Sequence, residues 1–245
     1  MSSEKKKWII TTKRFVAFLD IMGFKDMVAR NSHKNIYNSL HAITSDVKQG
    51  KWYMDSYISI FSDSIIIFSR DHSQKSFHDF IWSVLIIFTR FLLLDIPLKG
   101  CLSFGILTVD REKQIFFGQP LIDAYLLEED LLYFGVILHH SAEKEICSWN
   151  SQMPYFLEIP TKLKSGTSNH LNLIWPSAYE IISSDLCPTG YCLDPLEVMR
   201  NLKFIMSGAP RRYLDNTIEV IEEIKKRNAP LYKYIDSDNS TQESQ

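Results

Sequence analysis

Residues 14–24 read RFVAFLDIMGF, and this stretch decides the fold. Residues 14–19, RFVAFL, are rich in aromatic and β-branched side chains, a short continuous apolar run that reads as a buried strand. Asp20 ends the run and Gly23 follows, so the strand delivers a carboxylate into a turn.

Working outward, residues 27–47 read as helical. Residues 56–61, SYISIF, and 65–69, IIIFS, read as a strand pair joined by the polar tip Ser62-Asp63-Ser64, which places Asp63 at a hairpin turn. Residues 81–98, IWSVLIIFTRFLLLDIPL, are interrupted by Arg90 and Asp95 and ended by Pro97, so they read as a buried helix and no membrane partner is expected. Strand character resumes over residues 98–109, with Gly100 and Gly105 inside it. Gly118-Gln119-Pro120 opens another helix, and residues 136–139 form a short strand candidate. The order βαββαβ predicts an α/β (α+β) fold of the ferredoxin-like kind, an antiparallel or mixed sheet flanked by helices.

Past residue 150 the pattern weakens. Residues 155–160 and 171–175 around a turn at 162–166 suggest one more hairpin, and residues 218–227, IEVIEEIKKR, form a terminal amphipathic helix with acidic residues early and basic residues late. The expected organisation is a catalytic domain over residues 14–176, a C-terminal helical extension packed on it over 177–236, and a disordered tail over 237–245.

The 245 residues are 45% hydrophobic, ample for one large core. Lys plus Arg total 27 against 29 for Asp plus Glu, so no global field points to nucleic acid and a polyanion must be met by a local patch. Cys101, Cys147, Cys187 and Cys192 lack the spacing of a zinc knuckle and read as reduced thiols. With a basic N-terminus unlike a secretory signal, the expected location is cytoplasmic. His139 and His140, adjacent on a strand, point to opposite faces and are given no joint metal role.

A strand-end aspartate taken singly is more often a cap or a turn residue than a ligand. Asp20 in F-L-D-I-M-G-F and Asp63 in I-F-S-D-S are different as a pair, since adjacent central strands place their carboxylates beside each other. Such oxygen ligands suit magnesium or manganese, whose shells are completed by substrate phosphates.

These motifs resemble the class III adenylate and guanylate cyclases. F-L-D-I-M-G-F is similar to the family's F-x-D-I-x-G-F, and I-F-S-D-S to its second metal-binding hairpin. K-G-C-L-S-F-G is similar to R-x-G-I-x-x-G, and F-F-G-Q-P-L-I-D-A-Y-L-L-E to W-G-x-x-V-N-x-A-x-R-x-E. The resemblance runs from about residue 14 to residue 139. It implies Asp20, Asp63 and the main-chain carbonyl of Ile21 as ligands of two Mn2+ or Mg2+ ions, with cyclisation of a nucleoside triphosphate to a 3′,5′-cyclic nucleotide and pyrophosphate. It further implies a head-to-tail homodimer with sites at the interface. The family's transition-state Asn and Arg fall on Ile122 and Leu126, and its purine-reading pair on Ser59 and Ile115, none of which repeats the family's chemistry.

Within the family, F-S-D-S, the G-x-x-L-I-x-A-Y-x-L-E helix, P-T-K-L-K-S-G and R-R-Y-L-D-N-T look similar to the Pycsar antiphage cyclases. That branch implies UTP, or else CTP, as substrate and a separate effector protein that senses the cyclic product in antiviral defence. Lys164 and then Lys99 are candidates to meet the triphosphate, Tyr57 to stack on the base and Phe24 to close the turn around the phosphates. The competing readings are an adenylate cyclase and a catalytically dead nucleotide-binding or dimerisation module. Ile122 and Leu126 favour the latter.

Overall fold

The computed structural model describes residues 8–49, 55–149, 154–186 and 193–227. Strand β1 (Thr11–Ile21) pairs antiparallel with β3 (Ser64–Ser69) on one side and with β4 (Leu98–Asp110) on the other, and β2 (Ser56–Phe61) extends the sheet beyond β3. Helices α1 (Phe24–Arg30) and α2 (His33–Gln49) lead from β1 to β2, and α3 (Gln74–Leu92) leads from β3 to β4. The sheet order β2-β3-β1-β4 and the chain order are those expected of the βαββαβ unit. Beyond β4 the sheet becomes mixed. Strand β6 (Val136–Leu138) joins β4 in parallel, and β8 (Gly166–Leu173) and β7 (Phe156–Leu163) complete that edge. A short β5 (Ile115–Phe117) folds back onto β4.

The 14–19 run is buried because β1 is hydrogen-bonded on both edges and covered on both faces. Phe15, Val16, Ala17 and Leu19 are all 0% exposed. On one face Phe15 meets Phe77 and Phe80 of α3 at ring separations of 4.5 and 6.1 Å. On the other, Phe18 meets Tyr125 of α4 (Gln119–Asp130) edge-on at 5.4 Å. The central strands β1 and β4 are thus sandwiched, with the apolar α3 buried along nearly its whole length.

Two helix bounds differ from the sequence reading. The 27–47 helix is broken at Asn31, which is extended at φ −117 and ψ 153. Ser32 Oγ then accepts from the N–H of Asn35 at 3.2 Å and caps α2, a local hydrogen bond that outcompetes helical continuity. The 81–98 helix begins at Gln74 behind an N-capping Ser73 and stops at Leu92, because Asp95 takes φ 59 and Pro97 forces the chain before it out of the helical region.

Helices α5 (His140–Cys147), α6 (Trp175–Leu186) and α7 (Pro195–Ile205) are not singled out in the sequence, and α8 (Ala209–Lys226) begins nine residues before the expected 218. Trp175 of α6 packs on Phe88 of α3 at 4.8 Å. α8 is tied by its side chains to the backbone of the segment that leads into β6. Phe134 N–H donates to Thr217 Oγ1 at 2.8 Å and Asn216 Nδ2 donates to the Leu132 carbonyl at 2.7 Å. Cys101 is buried and Cys147 exposed, both as free thiols, while Cys187, Cys192 and the expected tail over 237–245 lie outside the described residues. Among the described residues no helix is long and apolar enough to cross a membrane.

The β1–β4 pairing leaves no room for a side chain at Gly100. A Cβ there would lie 2.3 Å from Leu19 Cδ2 and 2.6 Å from the Phe18 carbonyl oxygen. Gly100→Ala is therefore expected to cost about 2 kcal/mol or more. A denaturant titration that finds the variant as stable as the parent would contradict this packing.

Candidate functional site

In β1 the side-chain alternation that buries Phe15, Ala17 and Leu19 under α3 turns Val16, Phe18 and Asp20 to the opposite face. Cross-strand register extends that face. Asp20 lies opposite Ser64 on β3 and Lys99 on β4, and Phe61, Ser59 and Tyr57 on β2 follow opposite Ser64, Ile66 and Phe68. α4 covers the β1–β4 half, where Ser103 Oγ donates to the Pro120 carbonyl. The β2–β3 half is open. Phe61 is 78% exposed, and Ser59 and Ile66 are only half-buried.

The second carboxylate reaches this face through a two-residue turn. Ser62 takes φ 55, the positive value that the first central position of a primed hairpin turn requires. Asp63 follows, exposed at the tip, and its carbonyl accepts from Ile21 N–H at 2.7 Å, which clasps the hairpin to the end of β1. Asp20 and Asp63 are thereby brought to one end of adjacent strands. Burial pushes the Asp20 carboxyl above its ordinary range, the Asp63 charge adds to the rise, and the Lys99 ammonium opposes it.

Two mutually repelling carboxylates at the ends of adjacent strands are a cost that a divalent cation relieves. Their donors are hard oxygens, as magnesium and manganese prefer. No group of three His, Cys, Asp or Glu side chains suited to a metal occurs among the described residues, so two carboxylates leave the rest of a shell to phosphate and water. The donor set fits the expected ions on those terms. Ile21, 2% exposed, stands at the end of β1 between the two aspartates in the hydrogen-bond pattern. Phe24 is the half-buried first residue of α1, packed against the core directly after Gly23 at φ 74.

Lys99 is placed differently from a phosphate ligand. It is 7% exposed, with Nζ 2.7 Å from Glu128 Oε1 in a buried ion pair, and it donates to the Glu128 carbonyl at 3.1 Å. Its charge is committed to the end of α4 and to the field at Asp20. Glu128, which burial pushes up and Lys99 draws down, is a partner that residue type and strand pattern did not single out.

Lys164 sits in the β7–β8 turn, exposed, 3.9 Å from Glu129, with its N–H donating to the Asp130 carbonyl at 2.8 Å. It shares an open cavity of about 460 Å³ with Leu126, Asp123, Glu129, Asp130 and His139. Lys164 and the Leu126 position thus meet, in a setting more acidic than a triphosphate contact alone would call for. His139 caps α5 rather than lying in the strand, and its ring is 4.0 Å from that of His140. Tyr57 lies in an aromatic cluster with Phe68, Phe116 and Trp8 at 6.2, 5.8 and 6.2 Å, about 20 Å along β2 from Asp63 at ~3.3 Å per residue. Ile115 is exposed on the neighbouring β5. Ser59 and Tyr57 share the open face, whereas Ile115 pairs with Asp110 one step out of phase with Phe116 and turns to the opposite side; all three stand away from the aspartates of their own chain.

No protein-family model and no curated protein matches the chain. Among solved structures, the catalytic core of a rhodopsin-guanylyl cyclase with converted specificity, in complex with ATPalphaS, is 15% identical with a TM-score of 0.49, covering 66% of this chain and 95% of its own. The adenylyl cyclase CyaB from P. aeruginosa is 13% identical with a TM-score of 0.48, over 67% and 96%. A bacterial light-regulated adenylyl cyclase is 13% identical with a TM-score of 0.47, over 74% and 99%. The chemistry of this face is read from its own residues.

If Asp20 and Asp63 hold a cation, millimolar manganese raises the thermal midpoint of the parent. Asp20→Asn and Asp63→Asn are expected to lose that rise while remaining folded without metal. An undiminished manganese shift in both variants would remove them as ligands. Lys99→Met leaves Glu128 buried without its cation and is expected to destabilise the chain by about 3 kcal/mol, an effect Glu128→Gln partly reverses in the double variant.

Proposed function

We propose that this chain is a nucleotidyl cyclase acting on a nucleoside triphosphate, UTP before CTP. The observation that carries the reading is the clasp of Asp63 against the end of β1, which couples its charge to Asp20. Asp20 and Asp63 hold the metal pair, with the Ile21 carbonyl adjoining. Magnesium or manganese, when bound, supplies Lewis acidity at the ribose 3′-hydroxyl and neutralises charge on the triphosphate. The chain itself contributes position. The central strand and the clasped hairpin fix two carboxylates before substrate arrives, and the Lys99–Glu128 pair stiffens the strand end beside them.

The surface supports a second copy. Ile122 and Leu126 of α4 are 52% and 56% exposed, and Ile106, Ile115 and Phe117 on β4 and β5 are exposed with them. The apolar outer surface of α4, on the face that carries the aspartates, supports a head-to-tail homodimer, in which Ser59 and Ile115 approach nucleotide held by the partner's aspartates; Ile106, Ile115 and Phe117 line the other side of the β4–β5 arm. The absence of donors at Ile122 and Leu126 leaves Lys164, in the cavity with Leu126, as the phosphate contact of this reading. Pyrimidine preference, a role in antiphage defence and a separate cyclic-nucleotide effector belong to the same proposal and rest on the Pycsar-like motifs.

Incubation of the purified chain with manganese and each of the four nucleoside triphosphates is expected to yield pyrophosphate and a 3′,5′-cyclic pyrimidine nucleotide. Asp20→Ala and Asp63→Ala should each abolish product. Faster turnover of ATP or GTP than of both pyrimidines would overturn the base preference and leave the cyclase reading standing; substantial activity in either alanine variant would sink that reading. Mixing Asp20→Ala subunits with subunits altered at Ile115 should restore part of the activity, and a fully active monomer in sedimentation would contradict the shared site.

A further inference from the structure

We infer that His139 is a proton-operated latch between two helices: neutral, its ring caps α5, and protonated, it releases that cap and takes hold of Asp123 on α4. His139 follows β6 and stands at the N-cap of α5. Its Nδ1 accepts from the Ser141 N–H at 3.4 Å and lies 2.9 Å from Ser141 Oγ. That hydroxyl already accepts from the Phe104 N–H of β4 at 3.1 Å, so its own hydrogen is free for the ring. A chain of donors thus runs from β4 through Ser141 to His139, and it ends on a lone pair. Only the tautomer with its hydrogen on Nε2 offers that lone pair at Nδ1; the imidazolium offers none.

The second partner is already in place. Asp123 Oδ2 lies 3.9 Å from the same Nδ1, too far to bond a neutral ring and near enough to meet a charged one after a small side-chain rotation. Asp123 Oδ1 accepts from Gln119 Nε2 at 2.8 Å, so the two oxygens are divided between Gln119 and the ring. Other charges face His139 from each element around it. On α5 the His140 ring tilts against it at 4.0 Å, and Glu143 stands 3.9 Å from His170 of β8. Glu129 and Asp130 of α4 and Lys164 of the β7–β8 turn share its cavity, and the buried Cys101 thiol of β4 meets its backbone. Burial, followed by the charge of His140, holds the ring below the ordinary histidine range, with Asp123 and Glu143 pulling the other way and His170 adding to the fall. The native fold therefore prefers the neutral, capping form. The stabilisation from the cap is full above the unfolded-chain value of about 6.5, and it falls as pH drops from there to the lowered native value. The latch joins acidity to the seating of α4, the helix that carries the exposed Ile122 and Leu126.

The test follows amide hydrogen exchange and the NMR signal of the His139 ring in the full chain between about pH 7.5 and pH 5. After correction for intrinsic exchange, the parent is expected to lose about tenfold protection at the Ser141 and Phe104 amides on acidification, the scale of a lost helix cap. His139→Asn supplies a capping oxygen that does not ionise, and it should hold that protection throughout. Asp123→Asn removes the carboxylate that draws the proton. The ring should then titrate lower by about half a unit or more, with the loss of protection following it. An equal acid loss in His139→Asn, or a parent whose α5 amides stay protected after the ring has titrated, would overturn the latch. A ring midpoint unmoved by Asp123→Asn would take α4 out of it and overturn it as surely, and that comparison decides the matter even where His139→Asn folds poorly.

Discussion

The hydrogen bond from Ile21 N–H to the Asp63 carbonyl is the contact on which the site depends. Once β1 is central, its last donor has only the tip of the β2–β3 hairpin to meet, and the tip carries the second carboxylate. Antiparallel pairing along β1 and β3 then leaves no freedom in where Asp63 comes to rest. The repulsion between the two carboxylates is held in place by strand pairing that stabilises the fold for reasons unrelated to chemistry, which is how a functional site stores unfavourable charge.

The two faces of the sheet divide the labour. One is sealed by α3 with aromatic contacts such as Phe15–Phe77 and supplies the hydrophobic stabilisation. The other is half covered by α4, whose end anchors Lys99 through Glu128 and so ties a helix to the strand beside Asp20. The uncovered half presents Phe61, Ser59 and Tyr57, and the apolar outer surface of α4 continues it. The surface is so divided that charge stands at one end of the sheet and aromatic and apolar groups toward the other.

The residues that interrupt the expected helices are informative about this geometry. Asn31 and Ser32 end α1 after two turns, so the chain that leaves Asp20 turns back before running on as α2. Asp95 and Pro97 end α3 early enough for Leu98 to enter β4 in register with Ile21, which sets Lys99 opposite Asp20. Local backbone preferences at these few positions determine which side chains become neighbours at the site.

The sequence by itself determined the elements whose signals are local. A continuous apolar run closed by Asp20, a hairpin tip at Asp63 and the βαββαβ order were all legible, because strand burial, turn chemistry and periodicity act over a few residues. It did not disclose that Lys99 is spent on Glu128, that Tyr57 belongs to an aromatic cluster with Trp8, or that Gln114 is bonded to Tyr57. Those partners are separated by 29, 49 and 57 residues. The tertiary structure alone decided them, since a long polar or aromatic side chain carries no local sign of which distant group it will meet. The short strand at 136–139 and the hairpin about the 162–166 turn were legible as β6 and the β7–β8 pair, but their place at the mixed edge, in the order β4-β6-β8-β7, was decided by the strands they pair with.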